Sequence, residues 1–127
     1  PEFHYAGIRR GEDLAVHYAS ADLFFFPSVT ETFGNVVTEA LASGLVLLAF
    51  DYAAAREHVR TGINGRTVTP GDNAALVTAA RSLAEQRSEW PALRSAARKT
   101  ALTLTWDAVV DRFAEELAAA RPEFRAP

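Results

Sequence analysis

Two uninterrupted apolar runs constrain the fold of this chain more than any other feature. Leu23–Phe26 stops at Pro27, and a second run covers Leu45–Phe50. Apolar residues without polar alternation predict strands that are covered on both faces, which is typical of a parallel sheet. The segment between the two runs, Asn35–Ser43, has the pattern of a helix that ends at Gly44 as its C-cap residue. A strand, a crossover helix and a second strand together predict an α/β fold.

The rest of the chain extends this arrangement. Further strands are predicted at Phe3–Gly7, which is aromatic and ends in glycine, and at Arg66–Val68, an edge strand that follows turn residues. The predicted helices cover Glu12–Ala21, a short piece around Ala55–Val59, and then Asn73–Gln86, Trp90–Leu102 and Trp106–Ala120. Trp90 and Trp106 stand at helix starts and are predicted to be packing anchors. The fold class is therefore α/β, with a single domain over residues 1–127 that has about four mostly parallel strands, flanking helices and a helical C-terminal part.

Composition excludes several functional classes. The chain has 127 residues and a net charge of −3, which argues against a nucleic-acid partner held by bulk positive charge. It has no cysteine, so disulfide scaffolds and thiolate metal sites are excluded. His4, His17 and His58 lack metal-ligand spacing, and we predict no metal site. No apolar run approaches the ~20 residues of a membrane helix, and no signal peptide is visible, so a cytoplasmic location is expected.

The segment from Pro27 to Gly44 is the candidate ligand site. It leaves the carboxyl end of a predicted strand, where ligands bind in open α/β sheets. The start of the following helix offers unpaired N–H groups and a partial positive charge. Gly34 lets the backbone approach a ligand closely. The segment is therefore suited to a phosphate or another anion.

Two carboxylates flank this predicted anion site. Glu31 lies in the loop and Glu39 lies eight positions later in the helix. A carboxylate can accept hydrogen bonds from two adjacent hydroxyl groups, as sugars and riboses present them. The spacing itself is weak evidence, because Glu115 and Glu123 repeat it without a loop or a strand, and ordinary solvated carboxylates are the alternative interpretation. The surrounding loop and helix nevertheless favour a sugar nucleotide.

Several segments together carry a resemblance to one family. They are Ala19–Asp22, Phe26–Ser28, Glu31–Val37, Glu39–Gly44 and Asn64–Gly65. With these segments the chain resembles the donor-binding region of glycosyltransferase family four, which comprises retaining enzymes of GT-B fold. Within that family it is most similar to the bacterial GDP-mannose-dependent α-mannosyltransferases, notably at Asp51–Ala55.

The resemblance implies a role for individual residues. The donor sugar and diphosphate would be bound by Glu31, Phe33, Gly34, Asn35 and Val36, and the ribose and base by Glu39 and Ile8. Glu31 would be the catalytic residue. Catalysis in this family is usually metal-independent and retains the anomeric configuration. No cofactor is implied beyond the substrate, a nucleotide sugar, with GDP-mannose ahead of a UDP-sugar.

The resemblance also implies that parts are missing: residues 1–127 would be a partial Rossmann-like domain, the later part of the nucleotide-sugar-binding domain of a GT-B enzyme, whose first part is absent. The chain has no methionine and begins with Pro1, so we expect a piece of a longer polypeptide in bacterial polysaccharide biosynthesis. The glycan or lipid acceptor would bind through an absent N-terminal domain, and the chain alone would not transfer sugar. The family usually has Pro where Val46 stands, a difference that a buried strand should tolerate, and often has Gly-Gly where Ala53-Ala54 stands, a difference that could narrow the approach of the backbone to a ligand.

Other partners and functions remain open at this stage. Bare strand edges predict that Phe3–Gly7 pairs with Leu23–Phe26, or that two copies pair edge to edge as a dimer. Basic residues of the later helices could contact an anionic membrane, although a solvated face is the favoured interpretation. A sugar-nucleotide epimerase of GT-B fold and a non-catalytic, flavodoxin-like interaction domain are the alternative functions.

Overall fold

A parallel sheet of three strands organises the fold. The computed structural model describes residues 2–31 and 34–120 of the chain. Within them, the strands are β1 (Leu23–Phe26), β2 (Val46–Phe50) and β3 (Arg66–Val68), in the spatial order β1-β2-β3. The register pairs Leu23 with Val46 at the start of β1 and Leu48 with Arg66 at the start of β3. The predicted α/β class with parallel strands is confirmed.

The connections between these strands are helical, as a parallel sheet requires. The helices are α1 (Gly11–Ser20), α2 (Asn35–Ala42), α3 (Ala53–His58), α4 (Asn73–Glu85), α5 (Trp90–Thr103) and α6 (Trp106–Ala119). A short 3₁₀ turn at Arg87–Glu89 precedes α5. Helix α2 joins β1 to β2, and α3 lies between β2 and β3. Helix α1 precedes β1, and α4, α5 and α6 form the predicted C-terminal part.

The central strand β2 explains why its sequence is apolar throughout. All five of its residues are buried. Val46, Leu48 and Phe50 pack into one cluster with residues of α4 and α5. Leu47 and Ala49 pack into a second cluster, on the α2 side of the sheet. Burial on both faces leaves no solvent-facing position for a polar residue, so the prediction for this strand is confirmed.

The edge strand β1 differs from its prediction. Its four residues are apolar, yet they are only partly buried or exposed, and 43% of the surface of Phe25 is open to solvent. Among the described residues, β1 pairs with β2 alone, so its outer edge and part of one face lack cover. The prediction that β1 is covered on both faces is therefore wrong for the part of the chain that the structure describes.

The N-terminal segment does not form the strand predicted at Phe3–Gly7. Residues 2–10 have no regular secondary structure, and Phe3 is 88% exposed. The predicted pairing of this segment with Leu23–Phe26 is likewise wrong. A strand needs both a hydrogen-bonding partner and a face to bury, and aromatic composition supplies neither. The described chain thus has three strands rather than about four, while edge-to-edge dimerisation stays a prediction.

Two basic residues of α5 contribute to the fold rather than to a solvated surface. The Nε of Arg94 donates to the Gly44 carbonyl oxygen at 2.8 Å, and its Nη1 lies 3.2 Å from the Asp22 carboxylate. Arg98 donates to the carbonyl oxygen of Ala42. These guanidinium groups bind carbonyl oxygens at the C-terminal end of α2, which favours positive charge. A membrane contact of the basic helices remains a prediction.

The two tryptophans behave differently. The indole N–H of Trp90 donates to the Leu83 carbonyl oxygen at 2.9 Å, and the ring packs against a core cluster, so its anchoring role is confirmed. Trp106 is 83% exposed at the start of α6, and its predicted anchoring role is wrong. It belongs to an exposed apolar surface, the α6 stripe, formed by Trp106, Val109, Val110, Phe113 and Leu117. The described part of the chain contains no helix with the length and apolarity to span a membrane.

Candidate functional site

The N-terminal end of α2 is the centre of the candidate site. It follows the loop that leaves the carboxyl end of β1, as predicted. Gly34 is the N-cap residue, and its carbonyl oxygen accepts hydrogen bonds from the N–H groups of Val37 at 2.9 Å and Thr38 at 3.2 Å. Within residues 2–31 and 34–120, no side chain caps this helix, and its first turn has no acidic residue. The partial positive charge of the helix is therefore left for an anion.

Glycine is required at position 34 for two reasons. Its φ of +74° lies in the left-handed region. In addition, a Cβ atom placed on Gly34 would lie 2.0 Å from the Cβ of Ala54. The methyl group of Ala54 thus fills the space beside the α2 N-terminus. Its neighbour Ala53 also adopts a positive φ, of +45°, which is uncommon for a residue with a side chain.

The predicted sugar-binding carboxylate lies in the loop before α2. Glu31 is partly buried there. A local turn shapes the same loop, because the Ser28 hydroxyl donates to the Thr30 carbonyl oxygen at 2.7 Å and accepts from the Thr30 N–H at 3.3 Å. Phe33, which the resemblance places against the sugar and diphosphate, falls outside the described residues.

The structure brings most of the other predicted residues together on α2. Asn35 and Val36 form its first turn, and Glu39 projects from its second turn with an exposed side chain. Ile8 is placed differently, because it lies in the irregular N-terminal segment and is 83% exposed. Burial therefore does not hold this predicted base-binding residue against α2, and its role stays a prediction.

A residue that the sequence analysis missed lies next to Glu39. Tyr18 of α1 is partly buried, and burial together with a hydrogen bond to the Glu39 side chain raises the pKa of its phenol to about 12. The phenol therefore stays protonated near neutral pH. No pattern in the sequence indicated that Tyr18 lies near Glu39, because this proximity depends on how α1 and α2 pack.

A hollow lies between α2, α3 and the start of α6, next to the N-terminal end of α2. It has a volume of about 480 Å³ and is lined by Asn35, Thr38, Glu57, His58 and residues at the start of α6. Glu57 and Arg112 face each other across it, with 3.9 Å between carboxylate and guanidinium atoms. In the described residues, no three metal-binding side chains cluster here or elsewhere.

Comparison with known proteins places the chain in a family. The family described as "Glycosyl transferases group 1" matches residues 1–86, more than half of the chain. The chain belongs to this family. The resemblance inferred from the loop and helix around Glu31 and Glu39 is therefore confirmed at the family level.

Group 1 glycosyltransferases with known names align over most of the chain. The GDP-mannose-dependent α-mannosyltransferase of Mycolicibacterium smegmatis is 37% identical over 114 residues, which are 87% of this chain and 29% of that protein. The sulfoquinovosyl transferase SQD2 of Arabidopsis thaliana is 32% identical over 115 residues, 88% of this chain and 22% of that protein. The chain thus spans less than a third of the length of these relatives.

Solved structures support the same architecture. HepE of Anabaena, in complex with UDP and glucose, superposes with a TM-score of 0.73 and 28% sequence identity. The superposition covers 91% of this chain and 32% of HepE. The arrangement of three parallel strands, flanking helices and a helical C-terminal part thus matches glycosyltransferases of GT-B fold.

Proposed function

We propose that this chain is the donor-binding part of a retaining glycosyltransferase, which transfers a hexosyl group from a nucleotide sugar to a glycan or lipid acceptor. The observation that carries the proposal is the N-terminal end of α2, which begins at Gly34 and stands between Glu31 and Glu39. Family membership supports it, because the relatives named above are transferases. The chain would act within a longer polypeptide that also supplies the acceptor site.

In this proposal, the diphosphate lies at the first N–H groups of α2. Backbone N–H groups at Gly34, Asn35 and Val36 would donate to its oxygens, and the helix dipole would favour its negative charge. Glu39 lies five residues after Gly34, which is about 7.5 Å along the helix axis, since an α-helix rises 1.5 Å per residue. Its carboxylate would accept both ribose hydroxyls. Glu31, in the loop before the helix, would hold hydroxyls of the sugar.

The same geometry accounts for catalysis. The bond between the anomeric carbon of the sugar and the diphosphate oxygen breaks, and the acceptor oxygen bonds to that carbon. The acceptor proton passes to the departing diphosphate. Negative charge therefore grows on the diphosphate, where fixed N–H groups and a helix dipole stabilise it more in the transition state than in the ground state. Glu31 would act by orienting the sugar. The proposal requires neither a metal nor a further cofactor.

GDP-mannose is the first candidate for the donor. The relative in Mycolicibacterium smegmatis is named for its dependence on GDP-mannose, and it is 37% identical to this chain. UDP-glucose is the second candidate, because a structure of HepE contains it. A sulfoquinovosyl donor is represented among the relatives as well. Binding measurements have to decide between these nucleotide sugars.

The test is calorimetric titration of the intact polypeptide with GDP-mannose, UDP-glucose and NAD. We expect one nucleotide sugar to bind and NAD not to bind. Glu39→Gln should weaken that binding about tenfold or more, the effect of a hydrogen bond to a charged group. Glu85→Gln, at the exposed end of α4, is the matched control and should leave the affinity unchanged.

The alternatives give different results in the same experiment. An epimerase would convert the bound nucleotide sugar without any acceptor, which chromatography of the ligand after incubation would reveal. An interaction domain would bind none of the three ligands. If neither nucleotide sugar binds, or if wild type and Glu39→Gln bind the nucleotide sugar with equal affinity, the proposed function is contradicted.

A further inference from the structure

The hollow between α2, α3 and the start of α6 is separate from the two carboxylates of the proposed donor site. Asn35 and Thr38 of α2 line it, whereas Glu31 and Glu39, both among the described residues, do not. Its volume of about 480 Å³ lies within the ~300–1,000 Å³ that is typical of small-molecule sites. In the proposed function the N–H of Asn35 binds the diphosphate, so a molecule in the hollow would lie beside the donor.

The lining of this hollow combines an aromatic surface with polar side chains. Trp106, at the start of α6, lines the hollow and is 83% exposed, so much of its indole ring is open to a ligand. Glu57 at the end of α3 and Arg112 of α6 also line it and supply a carboxylate and a guanidinium group. An aromatic surface with a few polar groups around it is the usual lining of a site for a small, polar ligand.

The charges around the hollow balance, which favours a neutral ligand. The Arg112 guanidinium lies 3.9 Å from the Glu57 carboxylate, and its Nε donates to the Glu116 carboxylate at 3.0 Å. An anionic ligand would be repelled by these two carboxylates, which already neutralise the guanidinium. The Glu57 and Arg112 side chains are exposed to solvent, so their ion pair is weak and both groups stay available to hydroxyls.

A neutral sugar ring has the chemistry that this lining would recognise. Its hydroxyl groups both donate and accept, so they bond to a carboxylate and to a guanidinium. Its C–H bonds pack on an indole ring, whose face carries partial negative charge. We propose that the hollow is a saccharide subsite for the acceptor, in which Glu57 and Arg112 bind hydroxyls of one sugar unit and Trp106 packs against its ring. This inference rests on the proposed function, and the remainder of the polypeptide would supply the rest of the acceptor site.

The experiment is an NMR titration of the intact polypeptide, labelled with fluorotryptophan, with methyl α-mannoside and methyl α-glucoside. The donor site is first saturated with the diphosphate of whichever nucleoside the donor titration selects. Trp106→Phe and Trp90→Phe assign the two fluorine resonances. We expect at least one glycoside to shift the resonance of Trp106 and to leave that of Trp90, which packs against the core, unchanged. A tetrahydropyran that carries a single hydroxymethyl group should not shift either resonance, because it lacks the ring hydroxyls.

Two charge-matched variants test the contacts in the hollow. Glu57 and Glu116 both pair with Arg112, and of these two carboxylates only Glu57 lines the hollow. Glu57→Gln should weaken binding of the glycoside about tenfold, the effect of a hydrogen bond to a charged group. Glu116→Gln is the matched control and should leave this affinity unchanged. Neither variant should change the affinity for the nucleotide sugar.

The outcomes separate this inference from the proposed function. If the nucleotide sugar binds but neither glycoside shifts the Trp106 resonance, or if wild type and Glu57→Gln bind the glycoside equally, the saccharide subsite is overturned and the donor site stands. A tetrahydropyran that binds as well as the glycoside would mean that the hollow recognises only apolar surface, which also overturns the inference. Weaker binding of the nucleotide sugar by Glu57→Gln would assign the hollow to the donor instead. If neither nucleotide sugar binds, the acceptor role fails together with the proposed function.

Discussion

Gly34 and Ala54 approach each other so closely that a Cβ atom on the glycine would lie 2.0 Å from the alanine Cβ. Gly34 begins α2, and Ala54 belongs to α3, which follows the next strand of the sheet. The contact therefore joins the starts of two successive helices at the carboxyl edge of the sheet. Because the proposed diphosphate site lies at this edge, the packing of the fold and the shape of the site depend on the same pair.

Gly34→Ala should destabilise the fold by about 3 kcal/mol. A left-handed φ costs an alanine about 1–2 kcal/mol, and the overlap with Ala54 adds about 1–3 kcal/mol. Gly62→Ala is the matched control, because Gly62 has a φ of +82° but no neighbour within 4 Å of an added Cβ. The free energy of unfolding of Gly62→Ala should fall only by the cost of the left-handed backbone conformation, about 1 kcal/mol. Urea unfolding measures the loss of unfolding free energy in both variants. Equal losses would contradict the prediction that an alanine at position 34 collides with Ala54.

Ala53→Gly should stabilise the chain by about 1 kcal/mol. Ala53 holds a φ of +45°, and glycine reaches this conformation without the steric strain of a side chain. The matched control is Ala55→Gly, two positions later in α3, where the alanine is buried. There glycine should destabilise by about 1 kcal/mol, through lost helix propensity. Thermal unfolding of the two variants should therefore shift in opposite directions.

Asn64→Ala should destabilise the fold by about 2–3 kcal/mol. The buried Asn64 side chain accepts from the Arg60 N–H at 2.6 Å and donates to the His58 carbonyl and Thr100 hydroxyl oxygens, both at 2.9 Å. Alanine would leave the Arg60 N–H, the His58 carbonyl and the Thr100 hydroxyl without this hydrogen-bond partner in a partly buried region. The unfolding free energy lost in this way exceeds the net contribution of the hydrogen bonds, because the unpaired groups also remain desolvated. Asn73→Ala, at an exposed position, should change the free energy of unfolding by no more than about 0.5 kcal/mol.

The stability of the chain should fall as the pH rises above 10. The pKa of Tyr18 is raised from 10.0 to about 12 by burial and by Glu39, so between these values the unfolded chain loses the phenolic proton more readily than the folded chain. Its contribution to stability is complete below about pH 10 and is lost as the pH passes through about 12. Urea unfolding at increasing pH measures this slope.

Two variants test the origin of that slope. The free energy of unfolding of Tyr18→Phe should fall less steeply between about pH 10 and pH 12 than that of the wild type, because the variant lacks the phenolic proton. Glu39→Gln should lower the pKa of Tyr18, although burial keeps it above 10.0. A Tyr18 pKa that stays near 12 in Glu39→Gln would show that the carboxylate does not contact the phenol.

The parts of the fold that follow from local chemistry were predictable. Strand β2 is apolar because it is buried on both faces, and it extends over Val46–Phe50 where Leu45–Phe50 was predicted. Gly44, with a φ of +66°, follows the end of α2 as a helix-ending glycine should. The predicted boundaries of the other helices differ from the observed ones by a few residues at most, because capping residues and apolar periodicity set them.

The parts that depend on distant partners were not predictable. The strand expected at Phe3–Gly7 does not form, since a strand requires a neighbour that its own sequence does not specify. The influence of Glu39 on the pKa of Tyr18 depends on two helices that only the fold brings together. The loop, Gly34 and Glu39 could be assigned to a candidate site in advance, because their chemistry lies within one continuous segment.

The exposure of the α6 stripe determines how readily this helix opens locally. All residues of α6 are exposed, and the helix has 14 residues, which is close to the minimum of about 12–15 at which an isolated helix holds together in water. The Thr105 hydroxyl caps its first turn by accepting from the Ala108 N–H at 3.2 Å, and the ion pair of this helix with the rest of the fold, Arg112 with Glu57, is exposed to solvent. The amide protons of α6 should therefore exchange with solvent through frequent local opening, while those of β2 exchange only when the whole domain unfolds.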